Sequence, residues 1–84
     1  MKIEYDRGVD AAYFSFSAAA SARQEKRDDA RILDYDVAGT VVGVEFITPS
    51  LGLDLTGIPG ATEIAREARK LGLRVRLAPS SAGG

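Results

Sequence analysis

The chain is 84 residues long, which leaves room for one small domain and excludes a multidomain enzyme. Its 45% hydrophobic and 27% charged content is that of a globular chain, and eleven Lys and Arg against twelve Asp and Glu give a net charge of −1, so no global positive charge draws nucleic acid or anionic lipid. Cysteine and histidine are absent, which excludes disulfides, thiol nucleophiles, the usual zinc sites and Ser-His-Asp catalysis, and leaves carboxylate, hydroxyl and guanidinium chemistry.

The opening MKIEYD has no apolar run of signal-peptide length, and charge interrupts every later stretch that could span a membrane. A cytoplasmic protein without membrane association is the expectation. Ile3 and Tyr5 alternate with Lys2 and Glu4, and beyond Arg7–Asp10 the residues Ala12, Phe14 and Phe16 alternate with Tyr13, Ser15 and Ser17. This period of two on both sides of a turn predicts a hairpin in which Asp6 faces Ala11, Tyr5 faces Ala12 and Ile3 faces Phe14. The Ser/Ala stretch over residues 17–22 reads as a mobile connector. Residues 23–27 are polar at every position and predict a short charged edge strand, with Asp28-Asp29 as the turn out of it.

A second hairpin is written in ARILDYDVAGTVVGVEFI. With Ala38-Gly39 as a two-residue loop, Val37 pairs with Thr40, Tyr35 with Val42 and Leu33 with Val44, while Ile32, Asp34 and Asp36 share the other face with Glu45, Gly43 and Val41. Gly39 is where a positive φ is wanted, and Gly43 falls opposite Asp34. Pro49, Gly52, Gly57, Pro59 and Gly60 then mark an irregular connector, whose Leu51, Leu53, Leu55 and Ile58 imply that it packs. From Ala61, the residues Ile64, Ala65, Ala68 and Leu71 follow helical spacing, with Gly72 at the C-terminal cap position. Leu73, Val75 and Leu77 alternate with Arg74 and Arg76 as a final strand.

The fold class is therefore α+β: a mostly antiparallel sheet of two hairpins plus edge strands, one C-terminal helix packed on one sheet face, and a final short strand. A single domain over residues 1–78 and a disordered tail over 79–84 are expected. Strand order is not fixed by the sequence. The stripe Tyr5, Phe14, Phe16, Leu33, Tyr35, Val42, Val44 and Phe46 is the expected core.

Three stretches, YDRGVDAAYFSFS, ARILDYDVAGTVVGVEFI, and GLDLTGIPG with the helix and LGLRVRL, together resemble a small prokaryotic family known as domain of unknown function 2283. The residues that carry the likeness are Tyr5, Asp6, Asp10, Ala11 and Tyr13 in the first hairpin and Ile32 to Glu45 in the second, with Asp34, Asp36, Gly39, Gly43 and Glu45 at the family positions. The chain departs from the pattern at Arg7, where many relatives have Pro, and in its alanine-rich loop. The resemblance brings no established activity; that some similar proteins stand beside toxin-like partners implies an antitoxin-like or partner-binding role.

Three functional classes stay open. Asp34, Asp36 and Glu45, with Asp6 and Asp10 if the hairpin ends converge, could bind Mg²⁺ or Ca²⁺ or act as a hydrolase, but acceptance of turn amides by Asp6, Asp10 and Asp36 explains their placement with no extra assumption and is the favoured reading. Arg66, Arg69, Lys70, Arg74 and Arg76 form a basic cluster that could contact nucleic acid, but no aromatic residue interleaves it and Glu63 and Glu67 dilute it, so a solvated face is favoured. The third class is a protein-interaction module that is not an enzyme and needs no cofactor. Tyr13, Ile32, Val41 and Ile47 form a thin apolar set on the second sheet face. A sheet of four or five strands at about 4.8 Å spacing is roughly 20 Å wide while one helix is about 10 Å across, so one helix does not cover both faces, and a homodimer is expected.

Overall fold

The computed structural model describes residues 1–76. Leu77 of the expected last strand and the expected tail over 79–84 lie outside the described residues. The described chain falls into two compact units, Met1–Pro49 and a second that begins at Ser50.

The first unit is a five-stranded antiparallel sheet in the order β1-β2-β5-β4-β3, built from β1 (Lys2–Asp6), β2 (Ala11–Ser15), β3 (Arg23–Lys26), β4 (Arg31–Tyr35) and β5 (Val41–Ile47). The first hairpin has the register that its alternation demands, Ile3 opposite Phe14 and Tyr5 opposite Ala12. Strand β3 is the expected charged edge, exposed at each of its residues. Ala12, Phe14, Leu33, Val42, Val44 and Phe46 are buried on one face, and the Phe14 and Phe46 rings meet edge to face at 5.7 Å. The two outer tyrosines of the expected stripe, Tyr5 and Tyr35, are only half-buried, and each carries a guanidinium over its ring, Arg7 at 4.7 Å and Arg23 at 4.1 Å. Phe16 is also half-buried; β2 ends at Ser15, and the Phe16 amide adds one bond to the Val42 carbonyl.

The second hairpin departs from the expected two-residue loop. The Asp36 amide donates to the Thr40 carbonyl and the Gly39 amide to the Asp36 carbonyl, so the loop is residues 37–39 with Gly39 at φ 85°. The cause is the Asp36 carboxylate, which accepts both the Ala38 and the Thr40 amides at 2.9 Å and fixes a turn one residue out of step with the strands. Further in, Leu33 still faces Val44 and Asp34 faces Gly43, because a one-residue slip there would turn every core residue to the wrong side. A β-bulge between Asp34 and Tyr35 reconciles the two registers, and Tyr35 faces Val41 instead of Val42. Val41 thereby takes the side of Tyr35 and leaves the apolar set expected on the second face.

Among the described residues, two that are not glycine have positive φ, Asp10 and Thr48, both at 56°, and the Thr48 amide donates to the Asp10 carbonyl. This bond extends the β2–β5 ladder one step past its last pair, Ala11 and Ile47.

In the second unit the connector is not irregular throughout: Leu53–Asp54 forms β6, which pairs in parallel with β7 (Val75–Arg76). Parallel neighbours need a crossover, and the helix α1 (Ala61–Lys70) supplies it. The Leu53 and Leu55 amides donate to the Arg74 and Arg76 carbonyls, and Arg76 pairs with Asp54 at 3.2 Å. Leu53, Leu55 and Ile58 are buried as expected, whereas Leu51 is exposed. The helix buries Ile64, Ala65 and Ala68, carries Glu63 in its first turn and Arg69 and Lys70 in its last, and ends at Gly72 with φ 80°. Gly72 donates to the Arg69 carbonyl and Leu73 to the Ala68 carbonyl, which is the left-handed glycine cap the sequence calls for.

Candidate functional site

Sheet pairing brings the polar residues of the second face into two rows. The first runs Glu4, Tyr13, Glu45, Ile32, Lys26 across the five strands, and the second runs Lys2, Ser15, Gly43, Asp34, Gln24. Tyr13 stands diagonally from Gly43, and its ring lies down across β5 into the space that a side chain at 43 would fill. Lying flat, it reaches β4, where its hydroxyl donates to Asp34 Oδ2 at 2.8 Å. Strands β2, β5 and β4 thus supply one residue each, and the geometry depends on the middle one having no side chain.

Asp34 is 93% buried, since its relative exposure is 7%. Its Oδ1 is shielded from water and has no hydrogen-bond partner among the described residues. The Tyr13 hydroxyl is pushed up to about 12, first by burial, then by its hydrogen bond to Asp34, then by the charges of Asp34, Glu45 and Glu4. The pair is a neutral donor held against a carboxylate; a phenolate there would meet three negative groups.

Two of the remaining acidic side chains, Asp6 and Asp36, serve turns. Asp6 accepts the Gly8 amide at 2.8 Å and the Val9 amide at 3.3 Å. Asp36 holds its own loop, as above, and Asp10 meets Thr48 through its carbonyl. Glu45 stands beside Tyr13 in the first row and is half-buried. No group of three acidic residues converges to hold a metal among the described residues, so Asp34, Asp36 and Glu45 are not gathered on one ion. Tyr5 lies on the opposite, core-facing side, and Gly39 occupies the loop.

Arg66, Arg69, Lys70, Arg74 and Arg76 are all exposed. Glu67 pairs with Lys70 at 3.2 Å and with Arg66 at 3.9 Å, and Asp54 with Arg76, so acid is interspersed through the cluster. The contact that the sequence leaves unread is Tyr13 to Asp34. Both residues belong to the second face of their hairpins, but only the pairing of β2 with β5 brings them together.

A second unforeseen pair lies at the β3–β4 turn, where Arg31, 9% exposed, places Nε at 2.9 Å and Nη2 at 2.8 Å from Asp28 Oδ2. Asp28 also accepts the Ala30 amide at 3.0 Å. Its carboxyl is held below the usual range, chiefly by the hydrogen bond from Arg31.

The sequence profile of the family described as "Protein of unknown function (DUF2283)" matches residues 2–48, which is the five-stranded unit almost to its last residue. Comparison with curated proteins and with solved structures gives no match. Among the described residues no helix is long and apolar enough to cross a membrane.

Proposed function

We propose that this chain, which belongs to the DUF2283 family of proteins of unknown function, is a non-enzymatic interaction module that pairs with a second copy through the Tyr13 face of its sheet. The observation that carries this reading is the recumbent ring of Tyr13 over Gly43. It leaves a low patch in which Tyr13 and Ile32 are half-buried and Ile47 is 36% exposed, set among the charged Glu4, Glu45, Lys2 and Lys26 of the same face. A sheet packs face to face with another at about 10 Å, and low, apolar surfaces allow that approach. The carboxylates that could have served catalysis have other work: Asp6 and Asp36 bind turn amides, and Asp34 holds Tyr13.

Five strands of about five residues give a contact smaller than the roughly 800 Å² per partner of a standard interface, so the affinity expected is on the order of micromolar. Sedimentation velocity over a dilution series from hundreds of micromolar downward tests the reading. A monomer–dimer equilibrium is expected, abolished by Ile32→Asp with the circular dichroism spectrum unchanged. A chain that stays monomeric at the highest concentration overturns it.

A further inference from the structure

The registers of the five strands also determine how two such faces would meet. We infer that the two copies are related by a two-fold axis running along β5, so that Glu4 of one copy lies against Lys26 of the other; this rests on the dimer reading above.

Strand β5 is the central strand of the order β1-β2-β5-β4-β3. An axis parallel to it in the plane between two facing sheets exchanges β1 with β3 and β2 with β4. In the first row this sets Glu4 over Lys26 and Tyr13 over Ile32, twice each, with only Glu45 meeting its own copy. In the second row Lys2 meets Gln24 and Ser15 meets Asp34. The other aligned arrangement has the axis across the strands through the first row. It sets Glu4 on Glu4, Glu45 on Glu45 and Lys26 on Lys26, and its sole gain is Asp6 against Lys2. Glu45 meets its own copy in both arrangements, so Glu4 and Lys26 decide between them: like charges placed opposite each other oppose docking and opposite charges fix its register, which favours the axis along β5. It also stacks the apolar members of the row, Tyr13 on Ile32, instead of leaving each on its own copy.

The charged residues involved can take these roles. Glu4 and Lys26 are exposed. Within its own chain Lys26 has the fully exposed Asp29 at 3.6 Å, a loose pair that a second copy's carboxylate can replace.

Charge exchange is the test, read by sedimentation velocity in low salt. Glu4→Lys and Lys26→Glu singly are each expected to weaken the dimer about tenfold, because each reverses two symmetry-related contacts, and the double exchange is expected to restore it to within about threefold of the parent. Both positions are exposed, so unchanged circular dichroism is expected throughout. A dimer indifferent to both single changes, or weakened further by the double, overturns the axis along β5 while the dimer itself stands. Recovery by exchange at Lys2 and Asp6 would point to the crossed axis and likewise overturn it. A parent chain that is monomeric removes the premise and the inference with it.

Discussion

Tyr13 and Gly43 claim one volume: a β-carbon at position 43 would collide with the end of the Tyr13 phenol. The tyrosine can lie flat and reach Asp34 only because a neighbouring strand contributes a hydrogen atom there in place of a side chain.

Gly43→Ala is therefore expected to expel the ring, break its bond to Asp34 and destabilise the protein by about 2 kcal/mol, in spite of the better strand propensity of alanine. The double variant Tyr13→Ala with Gly43→Ala should cost clearly less than the sum of the two singles. Urea unfolding of the three variants measures the coupling, and strict additivity would contradict the shared volume.

Tyr13→Phe and Asp34→Asn should differ in severity although they alter the same pair. The phenylalanine leaves a buried carboxylate without its hydroxyl donor and should cost about 2 kcal/mol. The asparagine retains an acceptor for Tyr13 and removes a buried charge, so a change within about 1 kcal/mol is expected. Equal losses in urea melts would argue against a charged Asp34 in the folded protein.

Raising the Tyr13 hydroxyl to about 12 links stability to alkaline pH. The folded protein prefers the protonated phenol, so this contribution is complete below the unfolded value of 10.0 and disappears as pH climbs through about 12. In a spectrophotometric titration of the native protein the phenolate of Tyr13 should form only as the pH approaches about 12. Asp34→Asn should bring it down, since one of the three opposing charges is removed and a neutral amide oxygen holds the phenol proton more weakly than a carboxylate does.

Asp28 links stability to acid in the opposite sense. Its folded carboxyl is held below 3.8 by Arg31, so its contribution is present above that value and is lost as pH falls through the lowered one. Asp28→Ala should cost about 1 kcal/mol at neutral pH, modest because the carboxylate itself is exposed, and should flatten the acid limb of the stability profile. An unaltered acid limb would show that the pair with Arg31 does not persist in solution.

Phe14→Ala is expected to cost about 3–5 kcal/mol, since Phe14 is fully buried and meets Phe46 edge to face. In a chain of this size that is most of the folding free energy, and a urea midpoint near the parent's would refute the assignment of the core face.

Local patterns in the sequence foretold what local forces decide. Alternation placed Ile3 opposite Phe14 and Leu33 opposite Val44, helical spacing with Gly72 bounded the helix, and the polar run 23–27 marked the edge. Other features escaped, one through side-chain chemistry inside a turn and the rest because they are settled between segments. The second loop follows the Asp36 carboxylate, whose bonds to Ala38 and Thr40 outweigh the two-residue alternative and force the bulge. Strand β6 is visible only with β7 beside it, since two residues carry no period of their own. The Tyr13–Asp34 contact is of the same kind. Each residue reads as one more member of its hairpin until β2 and β5 become neighbours.

That one pairing also orders the folding reaction. Along β1-β2-β5-β4-β3, three of the four contacts between neighbours join strands adjacent in the chain, while β2 with β5 must enclose β3 and β4. Hairpins close in microseconds, whereas a non-local ladder has first to meet the entropy of its loop. The two halves can therefore form early and independently, and the rate-limiting event is expected to be their junction, where Phe14 finds Phe46 and Tyr13 finds Asp34 together. Substitutions along that seam should slow refolding, while changes at the outer ladders should chiefly hasten unfolding.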